Sequence, residues 1–202
     1  MPLKKHIPSL LLYSRLVFVF IILFLSLYRK DDVRGIVLTL MYIGIISDIF
    51  DGIIARKLNV STEKFRRLDT IFDLLFYFSI LYFIFKTNLP ALSENVLLIT
   101  IILTLEGLMY FVSIVKFQKL PSPHAILSKF WGLYLVIEFS LLILGINGIH
   151  FKIALIIGAF VHIDRLLIYL LLKKWDHDIP STFHAYQLSR GKNIRRNKLF
   201  NG

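Results

Sequence analysis

The chain contains no cysteine, which excludes disulfides and thiolate metal sites and leaves carboxylate oxygen and imidazole nitrogen as metal ligands. It also lacks internal repeats and low-complexity linkers, so one folded domain with a polar tail accounts for the 202 residues. Hydrophobic residues make up 56% of the chain, mean hydropathy is +0.70, and the apolar residues fall in blocks rather than in alternation. That pattern is not an ordinary soluble domain; it predicts an all-α polytopic membrane protein. The first apolar block is interrupted by Arg15 and has no small-residue cleavage site, so it reads as a retained helix rather than a signal peptide.

Acidic residues are scarce: 13 Asp and Glu stand against 24 Lys and Arg, for a net charge of +11. Windows long enough to span a bilayer, about 20 residues each, lie at 8–28, 35–55, 68–85, 96–115, 126–146 and 153–172. Six spanning helices put both termini on one side. That side carries two basic residues before the first window, five across 56–67, three across 116–129 and seven from 173 onward. The count is 17 against five on the other side. An excess of this kind marks the cytoplasmic face, so both termini are expected there. The basic surplus then belongs to a membrane face that favours anionic headgroups and phosphorylated substrates, and nucleic acid is not an expected partner. Residues 1–174 form the expected transmembrane domain and 175–202 a cytoplasmic tail, with a short surface helix near 181–188 for which Ser181 is the candidate cap.

Against this scarcity, four aspartates fall inside two spanning windows. Asp48 and Asp51 are three residues apart on the second helix, and Asp69 and Asp73 four apart on the third, so each pair shares a helix face. The short connection predicts that these helices are antiparallel neighbours with both acidic faces near their cytoplasmic ends. A carboxylate at a helix centre in lipid costs on the order of 3 kcal/mol, and four of them call for a compensating dication. Oxygen-only ligation suits Mg2+, Mn2+ or Ca2+, and paired ions are common in phosphoryl chemistry. Gly52 and Ala55 keep the same wall low, and Arg56 ends it with a fork suited to phosphate. The three describe a pocket for a metal-bound diphosphate, although Gly52 and Ala55 also serve close helix packing and Arg56 the membrane edge.

Other polar residues interrupt or flank the apolar windows. His124 and Ser128 share a face at the start of the fifth window, with Lys129 beside them; they are candidate contacts for an acceptor or a phosphate, and a snorkelling Lys129 is the plain alternative. Glu106 and Glu138 are expected to pair with Arg165 or Arg15 across helices. Asp164 and Arg165, being adjacent, point to separate partners, and His162 is a further interruption. Asp176, His177 and Asp178 read as charged surface.

The pattern D-x2-D-G-x2-A-R, eight residues, then G-x3-D-x3-D resembles the signature of the CDP-alcohol phosphotransferases. Asp48, Asp51, Gly52, Ala55, Arg56, Asp69 and Asp73 match it in order, while Phe65 stands where the second glycine belongs. Pro8 and Arg15 also keep the spacing of that family's P-N-x2-T-x2-R opening, with Ser9 and Leu12 in place of its polar pair. The resemblance implies transfer of a substituted phosphoryl group, such as the phosphatidyl group of CDP-diacylglycerol, to an alcohol with release of CMP. It further implies a homodimer in the cell (inner) membrane, engaged in phospholipid biosynthesis. Asp48, Asp51 and Asp69 would ligate Mg2+ or Mn2+, two ions in all, with Asp73 at the second ion and acting as base. Gly52 and Ala55 would lie against the nucleotide and Arg56 would hold its phosphates. Phe65 motivates a second reading, a catalytically degenerate member serving as a membrane scaffold or lipid-binding subunit. The remoter alternative is a membrane prenyltransferase, whose longer aspartate motif would require a third acid at the position of Ala55.

Overall fold

The computed structural model describes residues 7–28, 32–58, 63–122 and 125–194, apart from the side chains at 52, 55–57, 63–67 and 70. The described residues form helices and no strand: α1 (Ile7–Leu25), α2 (Arg34–Lys57), α3 (Glu63–Thr87), α4 (Leu89–Ser93), α5 (Val96–Phe117), α6 (Ile126–Ile143), α7 (Ile149–Leu171) and α8 (Thr182–Ser189). Long helices are what an apolar chain of this kind must adopt, because every backbone polar group is then satisfied within its own segment. Four of the expected spans, α1, α5, α6 and α7, are long and apolar enough to cross a membrane. Their outer faces carry exposed Leu10, Val17, Phe20 and Phe24 on α1, and Phe130 and Leu133 on α6, as lipid contact requires. Helices α2 and α3 have 24 and 25 residues and carry the aspartates.

The chain divides into two compact units, Met1–Pro90 with Phe139–Ile146, and Ala91–Glu138 with Asn147–Gly202. In the first unit α1 packs along both α2 and α3, and those two touch each other only lightly. Helices α2 and α3 do meet, as the short connection predicts, but each packs far more extensively on α1, which lies along both. A single stripe on each helix explains this. Pro8, Leu12, Arg15, Val19 and Ile22 are the buried residues of α1 and recur at helical spacing. On α2, Val37 and Met41 lead to Gly44, Asp48 and Asp51; on α3, Asp69 and Asp73 lead to Phe76, Ile80 and Phe83. The apolar members of these stripes are buried, so each face is apolar at one end and acidic at the other. Where α2 and α3 do meet, the Phe76 ring lies so close to Gly44 that it leaves no room for a Cβ.

The last turn of α6 belongs to this unit and is tied to it by side chains. Tyr42 Oη lies 2.9 Å from Ser140 Oγ. Asn88 Nδ2 donates to the Leu142 carbonyl at 3.1 Å, and Arg34 Nη1 donates to the Ile143 carbonyl at 2.6 Å. The chain then turns at Gly145, whose φ of +81° puts it in the left-handed region, and a Cβ there would stand 2.7 Å from Arg34 Nη1.

In the second unit α7 packs against α5 and α8, around Met109, Ala125, Ile168, Tyr169, Leu172, Ile179 and Ala185. Several of its polar residues are matched within it. Arg165 forks onto Glu106 at 2.7 and 3.1 Å, and Glu138 takes His150 Nδ1 at 2.7 Å. His162 Nδ1 lies 2.7 Å from the Gly158 carbonyl. Ser181 occupies the cap position of α8 but makes no side-chain cap bond; its hydroxyl faces His184 Nδ1 at 2.9 Å. Asp164 of α7 supplies the cap instead, accepting from Thr182 N at 3.0 Å and Thr182 Oγ1 at 2.6 Å. The helix after residue 175 is thereby docked on α7, with Ile179 and Ala185 fully buried.

Gly44→Val drives two γ-methyl groups into the Phe76 ring. Thermal unfolding of the purified protein in detergent is expected to show a loss of about 1–3 kcal/mol; a Gly44→Val/Phe76→Leu double variant should recover part of it.

Candidate active site

The four aspartates converge on Arg15. Its Nη1 lies 2.7 Å from Asp48 Oδ1, its Nη2 lies 2.5 Å from Asp51 Oδ2 and 2.6 Å from Asp69 Oδ1, and Nη1 also contacts Asp73 Oδ1. The planar fork makes this possible, since its donors diverge in fixed directions and one guanidinium can bridge several carboxylates. Helical spacing presents Asp48 and Asp51 from one side and Asp69 and Asp73 from the other, and α1 brings Arg15 between them.

Access differs among the four. The side chains of Arg15 and Asp51 are 1% and 0% exposed, whereas those of Asp48, Asp69 and Asp73 are 38%, 28% and 31% exposed. The site therefore has a closed floor and an open rim. One guanidinium faces four carboxylates, which leaves the cluster net negative by three formal charges. Carboxylate oxygens of Asp48, Asp51 and Asp69 lie within 4.8 Å of one another. Asp51 Oδ1 is buried without a hydrogen-bond partner, an arrangement costly to leave unmet. An oxygen-only donor set, excess negative charge and an unused buried oxygen fit a hard dication such as Mg2+ or Mn2+.

The remaining candidates are distributed as follows. Gly52, Ala55 and Arg56 lie in the last turns of α2 and Phe65 in the first turns of α3, with their side chains outside the described set. His124 also lies outside the described residues. Ser128 and Lys129 sit in the first turn of α6, in the second unit; Ser128 Oγ is buried with no hydrogen-bond partner, and Lys129 is exposed. His177 meets Asp176 and Asp178 at 3.5 Å each and is half-exposed, a surface arrangement as expected. Arg15 is the residue of this cluster that sequence reasoning paired elsewhere. Glu106 takes Arg165 and Glu138 takes His150, so neither expected acid pairs with Arg15, and the aspartates hold it. A lone arginine inside an apolar window, at family spacing from Pro8, was the available signal.

The sequence model of the CDP-alcohol phosphatidyltransferase family matches residues 5–168. The chain belongs to this family. It is similar to three proteins named CDP-diacylglycerol–glycerol-3-phosphate 3-phosphatidyltransferase. The one from Rickettsia prowazekii is 28% identical over 148 residues, covering 73% of this chain and 80% of that protein. The Rickettsia typhi protein is 28% identical over 144 residues, 71% and 79% of the two chains. That of Aquifex aeolicus is 33% identical over 148 residues, 72% and 78%. No solved structure matches the chain. The chain is thus a CDP-alcohol phosphatidyltransferase, an enzyme class that acts on CDP-linked lipid donors and alcohol acceptors and uses a divalent metal. The prenyltransferase alternative falls with this assignment.

Asp51→Asn keeps the volume of the buried side chain but removes the charge that faces Arg15 and that a bound dication would require. Mn2+ binding followed by electron paramagnetic resonance is expected to weaken by at least about tenfold, with Asp176→Asn unchanged as the surface control.

Proposed function

We propose that this enzyme transfers the phosphatidyl group of CDP-diacylglycerol to a hydroxyl of glycerol 3-phosphate, releasing CMP. The observation that carries the reading is the convergence of four carboxylates from α2 and α3 on one point, open on one rim. The choice of donor and acceptor follows the names of the relatives.

In this reading Asp48, Asp51 and Asp69 hold the metal, and Asp73 shares a second ion. Bound there, Mg2+ or Mn2+ would polarise the attacked phosphorus and neutralise charge on the departing CMP. Asp73 lies on the rim and takes the proton of the acceptor hydroxyl as its oxygen bonds to phosphorus. The bond between that phosphorus and the CMP oxygen breaks, and CMP leaves with the electron pair. Gly52 and Ala55 leave backbone room for the nucleotide, and Arg56 pairs with the diphosphate. His124, Ser128 and Lys129 are proposed as acceptor or phosphate contacts.

The topology in this reading has six spans within residues 1–174, with α2 and α3 added to the four apolar helices, and both termini with the 175–202 tail cytoplasmic. The metal site then lies near the cytoplasmic ends of α2 and α3. CMP departs into water while the lipid product stays in the cell (inner) membrane, and the working unit is a homodimer.

Purified protein given CDP-diacylglycerol and a pool of glycerol 3-phosphate, serine and inositol phosphate is expected to yield phosphatidylglycerol phosphate by mass spectrometry, with equimolar CMP. Chelation should abolish turnover, and Asp73→Asn should lower it by about 10²–10⁴-fold. Product from another alcohol would reassign the acceptor. Absence of CMP with every alcohol would support the scaffold reading instead.

A further inference from the structure

We propose that Arg15 is a displaceable counter-cation, gathering Asp48, Asp51, Asp69 and Asp73 and withdrawing from them when dications bind the same carboxylates. The inference rests on the reading of these carboxylates as metal ligands. One oxygen from each of the four aspartates is engaged by the guanidinium, so the fork stands on the atoms a metal would use. Arginine stays protonated at any working pH, and its repulsion from a dication on shared ligands cannot be relieved by losing a proton. It must be relieved by movement.

The surroundings favour that movement. Arg15 Nε is buried with no hydrogen-bond partner, so the carboxylates do not satisfy the whole guanidinium where it sits. Asp48, Asp69 and Asp73 are all partly exposed, which gives the long side chain an open rim to swing toward. Withdrawal also frees the Asp73 oxygen that Arg15 now engages, so the proposed base becomes available to an acceptor only after the metal has entered. The released fork is then presented on the side from which an anionic diphosphate approaches. Arg15 thus acts as a positioning residue: it couples metal loading to exposure of the base, and keeps four like charges together until the metal arrives.

The test uses full-length protein in detergent and compares Mn2+ affinity for the wild type and Arg15→Gln by electron paramagnetic resonance. Removing a competitor is expected to tighten Mn2+ binding by about tenfold or more. A guanidinium that merely braces the site gives no such gain. In parallel, Arg15→Gln should melt lower than wild type in EDTA and approach it in saturating Mn2+, because the dication replaces the missing charge. If Arg15→Gln accumulates only when expressed with Mn2+, that rescue is itself the expected behaviour. If it fails to fold even then, Arg15→Lys serves, and should also bind Mn2+ more tightly than wild type because one ammonium cannot bridge four carboxylates. Affinity equal to or below wild type in the variant that folds overturns the proposal and leaves the metal site standing. Absence of Mn2+ binding by the wild type overturns the metal reading, and this inference with it.

Discussion

The pairing of Arg15 with four aspartates is the constraint around which the first unit is arranged. An ionised carboxylate set into an apolar helix is costly, up to about 2.5–3.5 kcal/mol at the centre of a bilayer, and the guanidinium incurs its own cost. None is tolerable alone, and removing one partner from such a cluster strands the others. Their positions on the buried stripes of α1, α2 and α3 follow from that. A helix carrying Arg15 must lie where it reaches both acidic faces, and so α1 packs along α2 and α3 while those two barely touch. A lysine could not do this, since a single ammonium lacks the divergent donors that bridge several carboxylates.

The second unit shows what purely structural charge looks like in the same protein. Glu106 is met by Arg165, Glu138 by His150 and Asp164 by the start of α8. Each of these three acids has its own partner, and the pairs fix helix packing. In the first unit, by contrast, four acids share one cation and a buried oxygen of Asp51 has no partner. That surplus of negative charge, rather than the presence of aspartates as such, separates a site built for a cation from a set of packing bonds.

The helices were legible in the sequence because apolar blocks of spanning length leave few alternatives in lipid. All six expected windows overlap long helices, and the aspartate spacing fixed which faces converge. What was not legible was the third party. Arg15 could be seen as a charge in an apolar run, but its partner is 33 to 58 residues away, and periodicity along one helix says nothing of which helix lies opposite. The same limit explains the cap of α8. Ser181 is the right residue at the right place, yet its hydroxyl turns to His184, and the capping carboxylate comes from α7 through tertiary packing. Local rules found the element, and long-range contacts chose the atoms.

Depth along the helices bears on what the site can take. At a rise of about 1.5 Å per residue, Asp51 and Asp48 lie roughly 9 and 14 Å from the C-terminal end of α2 at Lys57. Asp69 and Asp73 lie roughly 9 and 15 Å from the N-terminal end of α3 at Glu63. The two offsets agree, although one is counted from a helix end and the other from a helix start. Consecutive helices joined by a short connection need this agreement if their acids are to face one cation. With the end of α2 and the start of α3 at the cytoplasmic membrane face, as in the proposed topology, a hydrocarbon core of about 30 Å within a bilayer of about 40–45 Å would put such a depth near the border between headgroups and acyl chains. A water-soluble diphosphate alone gains little from a site at that level. A donor whose diphosphate is attached to a lipid would carry its reacting phosphorus to that level, and an acceptor would then have only to reach the rim formed by Asp48, Asp69 and Asp73.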